Sequence, residues 1–394
     1  MIPPHIAKQR LILSIYEQLS PATQSLKGGK HLLGFSGGVD SVALFFILLR
    51  LNVSFDIAIV HYHVRKQADE EVLYAKELAQ KYHKQCFIAH APHFHSDFEH
   101  NARNFRFRFF NDIMATHHYH SLILAHQLND RFEWFIMQLT QGAGLNTLLG
   151  FDNKRTYPIV RPLESIPKNR LYEFCSVQKL KYFEDISNTN THFKRNYFRH
   201  TFCNQMIEHF SGGIAKSMAY LEQDKLALLA QLCPQTLHLE SLSQKLSCTD
   251  KTTIFAFDNK NEHLLLLACD RVAKYYAYIL SSKQRDAIKK SHFNCKIHHI
   301  IIAKAPHKMF IAFDILSAYN ISTHSPMDKA FKALCASLYI PPKLRPLLWS
   351  EFCLFAQISD FPQKNTNTDK STLNKEIHHF CHIFYSKIKD FFSP

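Results

Sequence analysis

Residues 32–49 read LLGFSGGVDSVALFFILL, an apolar run, a short polar insert with adjacent glycines, and a second, longer apolar run. The first run has the pattern of a buried strand and the second of a buried helix, so the insert sits at a strand-to-helix turn. Gly37 and Gly38 let the backbone bend with no Cβ atoms in the way and bring successive N–H groups close to an anion. A helix starting near Asp40 adds its unpaired N–H groups and the positive end of its dipole. Ser36 and Ser41 add hydroxyl donors. Ser36, Gly37, Gly38, Val39, Asp40 and Ser41 are thus a candidate phosphate cradle, although the stretch is neither GxxxxGK[ST] nor GxGxxG. A carboxylate beside phosphates is repulsive without a cation, which makes Asp40 a candidate Mg2+ ligand. The residues alone also allow a plainer reading, an ordinary β–α turn whose helix is capped by Asp40.

Working outward, apolar runs at 31–35, 55–60, 86–89 and 121–125 alternate with helical patterns at 41–50, 69–83, 99–116 and 129–140. That alternation predicts an α/β domain, a doubly wound parallel sheet whose ligands sit beyond the carboxyl ends of the strands. The glycine-rich 141–154 breaks the pattern, and helical stretches then run to about 215. We expect residues 1–212 to form the nucleotide-binding domain, 213–250 a helical connector built on GIAKSMAYLEQDKLALLAQL, and 251–394 a small α/β C-terminal domain. There the strand-like pieces TTIFAF, KIHHIIIAK and KMFIAFDI precede a helix and turn.

A chain of 394 residues holds two or three domains. Its formal net charge of +14 favours a polyanionic partner, nucleic acid first. The ten cysteines occur without a CxxC pair, and with no leader-like segment ahead of them the expectation is reduced thiols in a cytoplasmic protein. No apolar stretch approaches the ~20 residues of a membrane span, so no membrane partner is expected. Oligomeric state is not legible, and a homodimer stays open.

SGGVDS after an apolar strand resembles the signature of the N-type ATP pyrophosphatases, the PP-loop superfamily. Three further stretches narrow the resemblance. FEHNARNFRFRFF (98–110), ILAHQLNDRFEWFIMQLTQGAGL (123–145) and VRPLESIPKNRLYEFCSVQKLKYFEDISNTNTHFKRNYFRH (160–200) are similar to segments of the tRNA(Ile)-lysidine synthetases, and 329–348 is similar to their C-terminal domain. The resemblance implies that ATP activates the C2 carbonyl of the wobble cytidine in a tRNA(Ile) with a CAU anticodon, that L-lysine is joined there, and that AMP and pyrophosphate leave. ATP and Mg2+ are the expected cofactors.

Within that frame Arg103 and Arg106, three apart, share a helix face and can meet phosphates or the activated intermediate; a solvated basic face is the simpler alternative. His126 closes the fourth strand and can contact ATP or the cytidine, or serve as a structural histidine. Asp130 and Glu133 form an acidic spot, one expected to hold Mg2+ with Asp40 (Asp130 is the candidate) and the other to bind the lysine ammonium or accept its proton. Arg161, Asp185, Asn188, Arg195, Asn196 and Arg199 match the stretch that lines the substrate and tRNA side in the family, where arginines can stack on or pair with loop RNA. Packing and ion pairing between Asp185 and the arginines is the competing account.

Asn129, Arg131 and Trp134 depart from the family pattern, as do Gln141 and the shortened HYHVR at 61–65. His117, His118 and His120 invite a zinc reading but lack CxxC or HExxH spacing, and read as surface composition. The rivals are a PP-loop tRNA thiolase, which normally needs a catalytic cysteine or iron–sulfur site, and a catalytically silent nucleotide or RNA binder.

Overall fold

The computed structural model describes residues 4–64, 67–94, 96–150, 157–184, 194–239, 252–259, 261–276, 278–314, 327, 329–358 and 391–392. The chain divides into two compact units, residues 1–140 with 148–221, and residues 141–147 with 222–394.

After helix α1 (Pro4–Gln24) the chain alternates β1 (His31–Gly34), α2 (Val39–Arg50), β2 (Phe55–His61), α3 (Gln67–Lys81), β3 (Cys86–His90), α4 (Phe98–Thr116), β4 (Leu122–Leu124) and α5 (Leu128–Leu139). There follow α6 (Leu145–Leu148), β5 (Ile159–Val160), α7 (Lys168–Val177), α8 (Lys194–Phe198), a π-helical turn over Arg199–Cys203, and the long α9 (Asn204–Ala230). Among the described residues of the first unit, five parallel strands pair in the order β3-β2-β1-β4-β5. The doubly wound sheet expected from the sequence is therefore present.

Strand alternation sorts its two faces. Leu33, Ile57, Ile59 and Ile123 pack in one cluster with Val42 and Phe45 of α2, Leu78 of α3, Ile15 of α1 and Phe174 of α7. Leu32, Ala58, Leu122 and Leu124 pack in another with Phe107, Phe110 and Met114 of α4.

The amino-terminal edge of the sheet is tied down by one buried carboxylate. Asp56 accepts from the Gln85 amide at 2.8 Å and the Tyr119 hydroxyl at 2.5 Å, and pairs with the Lys30 ammonium at 2.5 Å. These groups lie just ahead of β3, β4 and β1. The opposite, carboxyl edge is left for ligands, and the strand order reverses between β1 and β4, the place where open α/β sheets bind them.

In the second unit an antiparallel sheet is built from β6 (Gln235–Leu239), β7 (Thr252–Asp258), β8 (Asn294–Ile297), β9 (Ile300–Lys304) and β10 (Lys308–Phe313) in the order β6-β7-β10-β9-β8. Helices α10 (Glu262–Tyr275) and α11 (Ser282–Lys290) precede β8, and α12 (Lys329–Ser337) and α13 (Arg345–Ile358) follow β10. Phe255, Ile302 and Ile311 cluster with Leu265 and Val272 of α10, while Ala256, Ile301 and Phe310 cluster with Phe331, Leu347 and Leu348. KIHHIIIAK, one apolar piece in the sequence, is a hairpin here, because His298 takes a φ of +53° and turns the chain between β8 and β9.

The QGAGL segment belongs to this unit. Gly144 lies so close to the Arg285 guanidinium that a Cβ there would sit 1.9 Å from it, and Arg285 is held by the buried Asp270 at 3.1 Å. Lys274 donates to the Asn146 carbonyl. Among the described residues no helix is long and apolar enough to cross a membrane.

Candidate active site

Gly37 is the bend that shapes the loop between β1 and α2. Its φ of +78° is a left-handed conformation that favours glycine, and a Cβ there would press on Glu71 at 3.2 Å and Phe183 at 3.3 Å. The loop is also paired from behind. The Phe183 amide donates to the Gly37 carbonyl at 3.0 Å, and Gly38 and Phe183 form a parallel bridge.

Gly38 caps α2 without a side-chain hydrogen bond, so the first amides of the helix are not used by a capping side chain. The Ser36 amide donates to the Ser41 hydroxyl oxygen at 3.2 Å, the two hydroxyls lie 3.1 Å apart, and Ser41 donates to the Gly38 carbonyl at 3.0 Å. The serines thus brace the cradle as well as lining it. Asp40 reaches in from the first turn, and its Oδ1 is buried without a hydrogen-bond partner. Burial and the neighbouring Asp130 carboxylate push Asp40 up to about 7, against the pull of Lys168 and Arg199. An orphaned carboxylate oxygen with a strained charge suits a divalent cation that would supply both partner and counter-charge.

Across the switch point, α5 starts with a capping box. Gln127 accepts from the Asn129 amide at 2.6 Å, and its own amide donates to Asp130 Oδ2 at 3.1 Å. That box aims Asp130 and Glu133 at the arginines of α8 and the π-helical turn. Arg195 donates to Asp130 Oδ1 at 2.5 Å and to Glu133 Oε2 at 2.8 Å; Arg199 donates to Glu133 Oε1 at 2.6 Å and Oε2 at 3.1 Å. Glu133 is almost wholly inaccessible, at 1% exposure, and a buried carboxylate is tolerable only with such partners. Burial works against the charge of Arg195, but the carboxylates of Asp130 and Glu133 more than offset it and hold its pKa above the usual value.

His126, at the carboxyl end of β4, is a neutral imidazole. Burial first, then the positive charges of Arg161, Arg106, Arg195 and Arg103, drive it down to about 3. Arg103 of α4 lies over the Phe107 ring at 4.9 Å. Arg106 reaches the Tyr62 hydroxyl, whose pKa is raised by burial with that arginine opposing. The structure thus gathers Asp40, Asp130, Glu133 and Arg199 on one side and His126, Arg103, Arg106 and Arg161 on the other, with Arg195 common to both. Asn196 is buried beside them on α8, and Asp185 and Asn188 lie outside the described residues.

Three participants do not stand out in the sequence. Phe183 pairs with a loop some 145 positions away, and no local pattern announces that. Gln127 does carry a local signal, the Q-x-x-D spacing of a capping box ahead of an apolar run. Lys168, at the start of α7, faces Asp40 electrostatically, and its amide donates to the Asn129 side chain at 3.1 Å. Asn129, one of the departures from the family pattern named above, therefore joins α5 to α7.

Two cysteines lie within electrostatic reach of the site, Cys175 near Asp40 and Cys203 near Glu133. Burial pushes Cys175 and Cys203 up to about 12, and both are free thiols, so neither supplies the thiolate that sulfur delivery requires.

Comparison with known proteins agrees with this geometry. The PP-loop domain family matches residues 9–206. A tRNA(Ile)-lysidine synthase of Helicobacter hepaticus is 51% identical, covering 95% of this chain and 94% of the relative. The chain belongs to the tRNA(Ile)-lysidine synthase family. Synthases of that name from Helicobacter pylori and Campylobacter jejuni are 41% and 37% identical, covering 84% and 82% of this chain and 92% and 94% of the relatives. The lysidine synthase likeness therefore runs well past the phosphate loop and into the second unit.

The ion-pair cluster makes a sharp prediction. Glu133→Ala removes the buried carboxylate that Arg195 and Arg199 share, leaving Asp130 to Arg195, and urea unfolding is expected to report a loss of about 3 kcal/mol. A loss within about 0.5 kcal/mol, the size of an ordinary surface change, would contradict the cluster.

Proposed function

We propose that this chain joins L-lysine to C2 of the wobble cytidine of a tRNA(Ile) carrying a CAU anticodon, by way of a tRNA adenylylated at that carbonyl. The C2 oxygen attacks the α-phosphorus of ATP, the α–β bond breaks and pyrophosphate leaves; the amine of lysine then attacks C2, AMP departs, and one proton is lost. The observation that carries this reading is the placement of a bent amide cradle after β1 next to a neutral imidazole ringed by arginines after β4.

Each residue has a task in that sequence. The amides from Gly37 to Ser41 hold the diphosphate that becomes the leaving group. Mg2+, when bound, neutralises phosphate charge, with Asp40 as its main protein ligand and Asp130 as a second that shares its oxygens with Arg195 and the Gln127 amide. Glu133 orients the guanidiniums of Arg195 and Arg199 and, at 1% exposure, is closed to the lysine amine. Asp130 is the more open carboxylate of the pair and is the one the lysine amine can reach. His126, held neutral, offers a hydrogen bond to the base without adding charge. Arg103 and Arg106 stabilise the negative charge that develops on the adenylyl group. Arg161, Arg195, Asn196 and Arg199, with Asp185 and Asn188, grip the anticodon loop. Residues 1–212 carry the chemistry, 213–250 connect, and 251–394 recognise the body of the tRNA.

The direct test supplies ATP, Mg2+, labelled lysine and CAU-anticodon tRNA. Label entering the tRNA with release of AMP and pyrophosphate is expected. Incorporation of sulfur in place of lysine would favour the thiolase, and nucleotide binding with no pyrophosphate would favour the silent binder.

Asp40 gives a pH signature. The cation needs the carboxylate, and the ligand-free group ionises near pH 7. Affinity for Mg2+–ATP should rise with pH up to about pH 7, by at most about tenfold per unit, and level off above it. Calorimetric titrations across that range check the trend, and Asp40→Asn should abolish it.

For the second unit, Lys332 and Lys343 are exposed in the stretch that resembles the family's C-terminal domain. Replacing both by alanine should lower the salt dependence of tRNA affinity by about one unit of log–log slope for each phosphate that the lysines neutralise. Affinity for ATP should not change. An unaltered slope would remove this surface from the tRNA interface.

A further inference from the structure

We propose that His61, His63 and His90 form a binding site for a divalent transition-metal ion of the zinc type, separate from the Asp40 site. The sheet itself creates the cluster. β2 and β3 are parallel with His61 and His90 as register partners, so the two side chains project from one face at the carboxyl edge. His63 follows two residues after His61 with a φ of +57°, and this left-handed turn, which histidine adopts more readily than most residues, keeps its ring against the other two.

The rings are close enough to share an ion. His63 Nε2 and His90 Nδ1 are 3.0 Å apart, and ring centroids are 4.0 Å apart for His61 and His63, 5.3 Å for His61 and His90, and 5.0 Å for His63 and His90. One nitrogen from each residue lies within 4.8 Å of the others. Tetrahedral zinc with Zn–N bonds of about 2.0–2.1 Å sets its nitrogens roughly 3.3 Å apart, so small ring rotations suffice.

A supporting partner is already in place. Asp69 Oδ1 lies 3.1 Å from His61 Nε2, the carboxylate–imidazole contact that fixes tautomer and orientation in metal sites. With the proton held on Nε2, His61 Nδ1 carries the lone pair; it now accepts a 3.2 Å bond from the His63 amide, which the ion would replace. His61 is buried, while His63 and His90 are exposed, which leaves an entry path and a fourth coordination position for water or an anionic donor. Three imidazoles suit zinc, copper or nickel and are poor ligands for Mg2+. The His117, His118 and His120 run of the sequence does not gather in this way: among the described residues the His61, His63 and His90 group alone brings three such ligands together.

The test uses the full-length protein and Zn2+ alone, titrated against a chromophoric chelator, with Co2+ absorption reporting tetrahedral nitrogen ligation. One tight ion per chain is expected, together with a rise in thermal midpoint on adding Zn2+. In the His63→Ala, His90→Ala double variant, affinity should fall by at least about 100-fold and the thermal response should vanish. Asp69→Asn should weaken binding by about 10-fold. Because His63 and His90 are exposed, the double variant should melt like the parent in chelator, which separates loss of ligands from loss of fold. His117→Ala with His118→Ala should leave the tight site intact. Unchanged affinity in the double variant, or no stoichiometric Zn2+ uptake by the parent, would overturn the proposal.

Discussion

Backbone amides can hold a phosphate only where the chain bends enough for consecutive N–H groups to converge, and here that bend rests on Gly37 at φ +78°. The conformation is not left to the loop alone. Phe183 pairs with Gly37 and Gly38, and the serine hydroxyls stitch the first turn of α2 to the end of the strand. The bend then places the helix dipole, the first-turn amides that no capping side chain uses, and Asp40 together. Moving any one of these would displace the anion site proposed for this loop.

The second constraint is electrostatic. A buried glutamate and two arginines share one small volume, and the charges survive because each guanidinium is matched by carboxylate oxygens. Asp40, lacking such a partner, is shifted instead, from 3.8 to about 7, a difference of roughly 4 kcal/mol between its protonation states. The cluster is thus matched at Glu133 and unmatched at Asp40 Oδ1, the carboxylate proposed above to hold a cation. His126 completes the pattern, its pKa lowered first by burial and then by its cationic neighbours.

Much of this is legible in the sequence, and the reasons are local. Apolar runs rich in leucine, isoleucine and valine mark β1, β2 and β4, and SGGVDS marks the turn. Asp130, Glu133, Arg195 and Arg199 are all readable as site residues, but spacing along α5 suggests that both carboxylates face the cradle, whereas Glu133 is consumed by arginines that arrive more than 60 residues later. Long-range pairings of that kind leave no periodic trace. The same holds for Phe183 behind the glycine bend and for His90 beside His61, since strand register is a property of two segments and neither alone encodes it. The split of KIHHIIIAK into a hairpin shows the converse, an apolar run whose two halves look alike and whose turn residue, His298, carries no turn signature.

The central claim is that the amides between Gly37 and Ser41 hold the departing diphosphate of ATP. A crystal structure of the protein with a non-hydrolysable ATP analogue tests it most directly. The account predicts β- and γ-phosphate oxygens within hydrogen-bonding distance of those amides; a triphosphate seated elsewhere, with the loop empty, would contradict it.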